Sequence, residues 1–500
     1  MIILYGSQTG NSIHIAKLIQ NVILYGYNKD LIYNVDKELL PTDFTLDMDS
    51  FDFEKILDID MIIFVCSTHG NGSEPFNMTK FWKFLRKKNL PTNFLQHLNF
   101  AVFGLGDSSY KSFNFCSKKL YNCLLKHGAK PLIRKGNGDS QDKEGFMGEF
   151  KTWIKDLYYI LPHYKLQNAK NFASCKNDLY SASINDIKIL TPYNYIYPIL
   201  EIKFDIDIEN FEIGDCLAVY PENYNYEEFV RYNNIKDNTL VKYIKKYCDF
   251  NSIPQIYFFL QLSLITDTIA EEYREKCKEI YLNYDLYYDY ILLPKRTIFE
   301  VLKDFKIELT SNFMYKYIPV INPRYFTLTK KDFCYFVTVS LVSFKTSLKE
   351  ERKGLCSEYL KLLTKGSTIH VNIVQNRLNF SGKKILFMCT GTGITLPRAF
   401  VNYYSDLNFF KKVILLYGFR FRDVDFLYKE EFENKGIEIY PAVSREDNKY
   451  IQDIYKTIKG LENIDDWLIF VSGNSRLNNI IEKMLLDIYK KKIYFQAETW

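Results

Sequence analysis

The chain opens with Ile2-Ile3-Leu4-Tyr5-Gly6-Ser7-Gln8-Thr9-Gly10-Asn11-Ser12, and this stretch decides how its first part folds. The apolar run predicts a buried strand, and the small and hydroxyl-bearing residues after it predict a tight loop that opens a helix. In such a loop successive backbone amides converge, and the helix N-terminus adds positive potential. The stretch therefore predicts a phosphate site. Its candidate contacts are Ser7, Gln8, Thr9, Gly10, Asn11 and Ser12.

Two further apolar runs, Met61–Cys66 and Phe100–Phe103, end in similar loops. Loops that follow parallel strands meet at one edge of the sheet, where ligands bind. The lengths of these three loops resemble those of flavodoxin-type FMN sites. The resemblance implies an FMN site with the phosphate on the first loop and the flavin ring between the other two. Tyr110 is a candidate stacking ring, and His69 is either a flavin contact or an exposed loop histidine. The candidate residues of these loops are Ser67, Thr68, His69, Gly70, Asn71 and Gly72, then Gly104, Leu105, Gly106, Asp107, Ser108, Ser109, Tyr110, Phe113 and Asn114.

The rest of the chain changes its pattern twice. A polar, irregular stretch predicts a linker, strands then surround a mainly helical segment, and a second strand–loop–helix rhythm begins near residue 384. The predicted order is a parallel α/β domain, a β domain with a helical insert, and a second parallel α/β domain. The predicted ranges are 1–160, a linker at 161–183, 184–375 with the insert at about 222–306, and 376–500.

The β domain carries the marks of a second flavin site, for FAD. Arg324 can neutralise a pyrophosphate, and Phe326 and Thr327 alternate along a predicted strand where they can meet a flavin ring. A glycine loop then opens a helix, which suits the pyrophosphate. In that loop Cys356 is interpreted as a packing residue rather than a nucleophile. The candidates are Arg324, Tyr325, Phe326, Thr327, Gly354, Leu355, Cys356 and Ser357.

The last domain carries a dinucleotide loop, Cys389-Thr390-Gly391-Thr392-Gly393-Ile394, between a strand and a helix. Further along the chain, the Ser444 hydroxyl, the Arg445 guanidinium and the Lys449 ammonium form a receptor for a 2′-phosphate. The Tyr450 ring can stack on adenine. These residues predict NADPH as the bound dinucleotide. The candidates are Thr392, Gly393, Arg420, Ser444, Arg445, Lys449, Tyr450 and Gln452.

Composition excludes several classes of protein. The chain has 500 residues, of which 47% are hydrophobic and 25% charged, with 65 basic against 60 acidic side chains. These are values of a globular protein, and no polybasic stretch indicates nucleic acid or a membrane surface. No apolar run reaches 18 residues, so no spanning helix is predicted. The ten cysteines form no CxxC pair or zinc pattern, so no metal site is predicted and reduced intracellular thiols are expected.

On these motifs the chain resembles the diflavin reductases over essentially its whole length. The resemblance is strengthened by Phe211–Pro221, Lys295–Leu302 and Tyr417–Arg420. It implies a flavodoxin-like doubly wound parallel sheet, an FAD-binding antiparallel β-barrel with a helical insert, and a Rossmann-like NADP-binding domain. The cofactors implied are FMN, FAD and NADPH.

Within that family the chain looks most like the branch that serves cytosolic iron–sulfur cluster assembly. Lys345–Leu348, Gly354–Ser357 and the ending Phe495–Trp500 carry this likeness. It implies a cytoplasmic enzyme that passes electrons from NADPH through FAD and FMN to an anamorsin-type iron–sulfur protein. A haem protein as acceptor is the alternative, and a binding scaffold without redox function is a remote one.

The resemblance also implies the residues around hydride transfer. They are Thr327, Ser472, Glu498 and Trp500, whose ring would cover the FAD face that nicotinamide must reach. Two departures from the family stand out. Ser472 occupies a position where many relatives have cysteine, and Thr395-Leu396-Pro397 places the proline one residue later than usual. We expect slower hydride transfer from the first and an altered loop shape from the second.

Overall fold

The computed structural model of this chain describes residues 1–7, 11–25, 44–68, 72–87, 89–110, 112–142, 145–161, 164, 167, 180–192, 194–208, 210–265, 269–348, 351–376, 378–382, 384–404, 406–474 and 476–499. By internal contacts it divides into two compact units, which are described separately. The first unit comprises residues 1–176 and 253–296. The second comprises residues 177–252 and 297–500.

The helices and strands of the described residues are numbered in chain order. The strands are β1 Ile2–Gly6, β2 Thr45–Asp47, β3 Met61–Ser67, β4 Asn99–Gly106, β5 Lys130–Pro131, β6 Gly136–Asp139, β7 Tyr180–Ile189, β8 Ile199–Asp205, β9 Cys216–Val219, β10 Arg324–Thr327, β11 Thr329–Lys331, β12 Cys334–Ser340, β13 Ser343–Lys345, β14 Glu351–Lys353, β15 Thr368–Val374, β16 Lys384–Thr390, β17 Lys412–Phe419, β18 Glu438–Val443, β19 Trp467–Gly473 and β20 Gln496–Thr499. The helices are α1 Asn11–Tyr25, α2 Thr79–Leu85, α3 Phe115–Lys126, α4 Phe146–Tyr158, α5 Tyr226–Tyr232, α6 Asn238–Tyr247, α7 Ile256–Ser263, α8 Glu271–Leu282, α9 Tyr284–Tyr287, α10 Ile298–Asp304, α11 Ser311–Tyr317, α12 Leu355–Leu362, α13 Thr395–Tyr403, α14 Lys429–Glu433, α15 Ile451–Tyr455 and α16 Arg476–Tyr489.

The first unit is built on a parallel sheet in the order β2-β1-β3-β4-β5, with β6 also paired to β4. Successive residues of β3 point to opposite faces of the sheet. Ile62 and Phe64 belong to one buried cluster with residues of α2 and α3, while Ile63 and Val65 belong to another with residues of α1 and α4. Because both faces are buried, the central strands β1, β3 and β4 are apolar along most of their length.

The second unit contains two sheets and a hairpin. A seven-stranded antiparallel sheet runs in the order β10-β9-β15-β7-β8-β12-β11, and β13 pairs with β14. Its core is a cluster that includes Ile202, Phe204 and Val337. A five-stranded parallel sheet follows in the order β18-β17-β16-β19-β20, with buried clusters on both faces.

These sheets confirm the fold class predicted from the sequence. The predicted domain limits stay a prediction, but one strand differs from them. β7 begins at Tyr180, inside the range 161–183 interpreted as a linker, because Tyr180 already pairs with Val371 of β15. Among the residues that the structure describes, no helix combines the length and the apolar character needed to span a bilayer.

Candidate functional site

Three neighbouring strands of the N-terminal sheet end at one edge. Gly6 pairs in register with Cys66, and Cys66 with Gly104, so β1, β3 and β4 end side by side. The structure thus places Ser7, Asn11, Ser12, Ser67, Thr68 and Gly72 near one edge. Six predicted contacts, Gln8, Thr9, Gly10, His69, Gly70 and Asn71, lie outside the described residues.

Hydroxyl groups at this edge fit a phosphate ligand. The hydroxyl oxygens of Ser12 and Ser67 are buried, and within the described part of the chain neither has a hydrogen-bond partner. Ser12 stands in the first turn of α1, where backbone amides also lack intrahelical partners. A buried polar group without a partner costs free energy, so these hydroxyls suit an anion whose oxygens accept hydrogen bonds from them.

Carboxylates give the third loop its shape. One Asp107 oxygen accepts hydrogen bonds from the Ser109 hydroxyl at 2.5 Å and the Ser109 N–H at 2.9 Å, and Gln141 donates to the other at 3.0 Å. These bonds, the Ser109 hydroxyl first, lower the pKa of Asp107. The Ser108 N–H donates to Asp139 at 2.9 Å. The loop is therefore held by bonds to Asp107 and Asp139. The Tyr110 ring is 64% exposed, so it is free to stack on a flavin.

Glycine is required where α3 approaches β4. A Cβ added at Gly104 would lie 2.1 Å from the Ser117 hydroxyl oxygen. A Cβ added at Gly106 would lie 2.9 Å from the Asn114 backbone nitrogen. Asn114 itself is buried in the left-handed conformation, and its amide donates to the Gly138 carbonyl at 3.1 Å. Its side-chain oxygen has no partner among the described residues. The close approach brings the third loop and the start of α3 together. Leu105 is buried and Phe113 is half-buried there.

The predicted FAD contacts follow strand β10 of the antiparallel sheet. Arg324 and Tyr325 are exposed, Phe326 is half-buried and Thr327 is buried. β10 pairs with β9 so that Thr327 stands opposite Cys216. The exposed guanidinium and the ring next to it fit a pyrophosphate and a flavin at this edge.

The side chain of Ser357 holds the glycine loop before α12 in place through two hydrogen bonds. The Ser357 hydroxyl donates to the Gly354 carbonyl at 3.1 Å and accepts from the Val342 N–H at 3.2 Å. The side chain of Leu355 is half-buried beside it. Burial raises the pKa of Cys356 to about 12, so its thiol stays protonated at neutral pH. The Cys356 side chain is buried in the core cluster of the antiparallel sheet, and its role stays a prediction.

Three of the four residues predicted around hydride transfer lie together. The Thr327 hydroxyl donates to Glu498 Oε1 at 2.6 Å across 171 residues of sequence. Ser472 of β19 pairs in register with Glu498 of β20, and its hydroxyl donates to the Gly393 carbonyl at 2.7 Å. Trp500 lies outside the described residues.

Cys216 joins this group, and sequence reasoning missed it. Its Sγ donates to Glu498 Oε1 at 3.3 Å. Burial raises the pKa of Glu498 to about 7, so its carboxyl is poised between the neutral and charged forms. Glu498 Oε2 has no partner among the described residues. Cys216 could be found only from the β9–β10 register, since nothing in its local sequence marks it.

The dinucleotide loop is a tight turn between β16 and α13. A Cβ at Gly393 would lie 2.3 Å from the Ser472 carbonyl oxygen, so only glycine fits there. Thr392 is half-exposed in the same turn, and its carbonyl accepts from the Thr395 hydroxyl at 2.9 Å. Pro397 is the third residue of α13, where no intrahelical N–H is needed. The late proline is therefore compatible with a regular helix start.

Basic side chains gather where β17 and β18 end. The Ser444 N–H and hydroxyl both donate to the Phe419 carbonyl, at 2.9 and 3.1 Å, and the Arg445 N–H donates to the Arg420 carbonyl at 3.2 Å. Arg445, Lys449 and Tyr450 are exposed, and Gln452 is half-buried. Within the described part of the chain, neither Arg445 nor Lys449 forms an ion pair. This arrangement suits a phosphate monoester.

A buried ionic group ties the two sheets of the second unit. Arg398 of α13 makes a double hydrogen bond to Glu431, at 2.9 and 3.0 Å, and pairs with Glu201 of β8. Its guanidinium lies 3.6 Å from the centre of the Tyr428 ring. Burial alone would raise the pKa of Glu431, but the bonds from Arg398 bring it down to about 2. The dinucleotide loop is thus held at a fixed place beside the antiparallel sheet.

Comparisons with known proteins agree with this geometry. A family profile described as Flavodoxin matches residues 3–153. The protein named NADPH-dependent diflavin oxidoreductase 1 of Schizosaccharomyces pombe is 29% identical, over 100% of this chain and 99% of its own length. Proteins of the same name from Saccharomyces cerevisiae and Xenopus laevis are 27% and 28% identical, over 95% and 100% of this chain and 92% and 99% of their own lengths.

Over its whole length the chain is similar to proteins named NADPH-dependent diflavin oxidoreductase 1, and its first part matches the flavodoxin profile. The family recognised from the sequence motifs is confirmed, and so is the oxidoreductase class that it implied. The roles of individual residues, Trp500 included, stay predictions.

Proposed function

We propose that this diflavin oxidoreductase takes electrons from NADPH through FAD and FMN to a one-electron acceptor protein. The single observation that carries the proposal is the Thr327–Glu498 hydrogen bond at 2.6 Å. It joins the strand with the predicted FAD contacts to the sheet with the predicted dinucleotide contacts. When bound, the two flavins take electrons from NADPH as a pair and release them singly.

The protein's own residues bind and orient the reactants. Arg324 and the amides before α12 would hold the FAD pyrophosphate, and Ser7 and the start of α1 would hold the FMN phosphate. Arg445 and Lys449 hold the 2′-phosphate of the dinucleotide. Thr327 and Cys216 hold the Glu498 carboxyl between the strand that would hold FAD and the sheet that would hold the dinucleotide.

The acceptor that we propose is an anamorsin-type iron–sulfur protein of cytosolic iron–sulfur cluster assembly. This places the enzyme in the cytoplasm. Two things support the proposal. The motifs resemble that branch of the family, and an iron–sulfur centre takes one electron at a time, which matches the output of a flavodoxin domain.

Anaerobic stopped-flow spectroscopy tests the whole path. Limiting holoenzyme is mixed with NADPH and either the host's anamorsin-type protein or a cytochrome-type haem protein. We expect fast catalytic reduction of the iron–sulfur protein. Preferential reduction of the haem protein would refute the proposed acceptor and leave the NADPH–FAD–FMN path standing.

A variant pair tests the order of the flavins. Ser12→Asp puts a negative charge where the FMN phosphate is expected, so acceptor reduction should fall more than tenfold while NADPH still reduces ferricyanide through FAD. Ser311→Asp, at an exposed serine in the first turn of α11, is the matched control. Equal loss of both activities in Ser12→Asp alone would contradict the proposed order.

A further inference from the structure

A short segment of the antiparallel sheet reaches the basic end of the dinucleotide domain. Residues 194–198, named here the tyrosine segment, lie between β7 and β8. Backbone bonds fix its base. The Leu190 N–H donates to the Ile199 carbonyl at 2.8 Å, the Ile199 N–H to the Thr191 hydroxyl at 2.9 Å, and the Tyr195 N–H to the Pro192 carbonyl at 2.9 Å. The segment therefore presents its side chains from a defined turn.

Tyr195 attaches this segment to the chain after β17. Its hydroxyl donates to Asp425 Oδ2 at 2.7 Å. Asp425 also accepts from the backbone N–H groups of Arg420 at 3.0 Å and Phe421 at 2.7 Å. Burial, followed by Asp425, raises the pKa of Tyr195 to about 12, so the phenol keeps its proton at neutral pH. Three donors thus satisfy the Asp425 carboxylate without using a guanidinium.

Tyr197 supports the Arg420 side chain. The Arg420 Cζ atom lies 4.7 Å from the centre of the Tyr197 ring. A guanidinium stacked on an aromatic face is attracted to it and loses rotational freedom. Stacking uses the face of the guanidinium, and one edge hydrogen-bonds the Tyr195 hydroxyl. A guanidinium has five N–H donors, so others remain for an anion.

A cavity of about 340 Å³ lies at this junction. It is lined by Asn194, Tyr195, Ile196, Arg420, Phe421 and Arg445. Two guanidiniums, aromatic rings and an aliphatic side chain surround one space. That combination recognises a flat ring system that carries phosphate.

We propose that the tyrosine segment forms a second wall of the dinucleotide site and that Tyr197 is the positioning residue for Arg420. The cavity takes the phosphate-bearing adenosine end of NADPH. This inference rests on the proposed function and deepens it. It adds a wall from the antiparallel sheet to a site whose predicted contacts all came from the last domain.

Isothermal titration of the flavin-loaded enzyme with adenosine 2′,5′-bisphosphate tests the inference without turnover. Tyr197→Leu should bind this probe about five- to tenfold more weakly, and Tyr197→Phe, which keeps the ring, within about twofold of the unsubstituted enzyme. Tyr494→Leu removes a tyrosine that is 82% exposed and serves as the matched control. Flavin absorbance reports whether each variant is folded and loaded.

A double-mutant cycle separates positioning from a general structural effect. If Tyr197 acts through Arg420, Tyr197→Leu should have no further effect in the Arg420→Gln background. Unchanged binding by Tyr197→Leu, or an equal loss in both backgrounds, would overturn the inference and leave the proposed function intact. Failure of the unsubstituted enzyme to bind the bisphosphate would overturn the NADPH site itself.

Discussion

Replacing Glu498 by glutamine should change how the stability of the second unit depends on pH. The carboxyl is buried, and it accepts hydrogen bonds from Thr327 at 2.6 Å and Cys216 at 3.3 Å. Burial raises its pKa from 4.5 to about 7. The folded state therefore holds a proton that the unfolded chain releases at lower pH.

The size and direction of the effect follow from that shift. The stabilising contribution of the protonated Glu498 is fully present below pH 4.5, and it is lost as the pH rises to about 7. At 1.36 kcal/mol per unit, the loss is about 3 kcal/mol across this window. Glutamine resembles the neutral carboxyl at every pH. The difference in unfolding free energy between Glu498→Gln and the unsubstituted protein should therefore grow by about 3 kcal/mol in favour of the variant from pH 4.5 to 7.

Differential scanning calorimetry of both proteins between pH 4.5 and 8 measures this difference. For a unit of this size, the midpoint difference should widen by about 5 °C over the window. The fixed cost of burying an amide shifts all points equally and does not change the slope. Glu430→Gln, at an exposed glutamate of α14, is the control and should show no such trend. A midpoint difference for Glu498→Gln that stays constant with pH would refute the reasoning.

Three further predictions concern the same structure. Thr327→Val removes the shorter bond to Glu498, so it should raise the pKa of that carboxyl further; pH-dependent calorimetry should then show the stability loss continuing above pH 7. Arg398→Met removes a buried guanidinium from two half-buried carboxylates, Glu201 and Glu431, and should cost about 3 kcal/mol. Arg422→Met, at an exposed ion pair, should cost less than about 1 kcal/mol in the same unfolding experiment, and equal costs would contradict the role of burial. Gly104→Ala places a Cβ 2.1 Å from a side-chain oxygen of α3, so purified protein should lose most of its FMN while its FAD content is unchanged; full FMN content would contradict the close approach.

The candidate site was predictable where function depends on local sequence. Phosphate loops need small residues between a strand and a helix, so the sequence marks the stretches around Gly10, Gly106 and Gly393 as candidates. Their contacts with nucleotides stay predictions. Contacts between residues that are far apart in the sequence could not be predicted in this way. Cys216 and Glu498 are 282 residues apart and meet only because β9, β10 and β20 converge. Nothing in the sequence around Tyr197 indicates that its ring lies under the Arg420 guanidinium.

Strand periodicity and loop composition are local properties, so the sequence alone was enough to predict the fold class and the family and to mark the candidate nucleotide loops. It also marked Thr327, Ser472 and Glu498 through a family resemblance. Only the tertiary structure decided which groups share a buried environment. Burial in a medium of low dielectric constant sets the pKa of Glu498 near 7 and makes the Arg398 ion pairs strong. Such effects depend on the distance between atoms in space, and a linear sequence does not contain that distance.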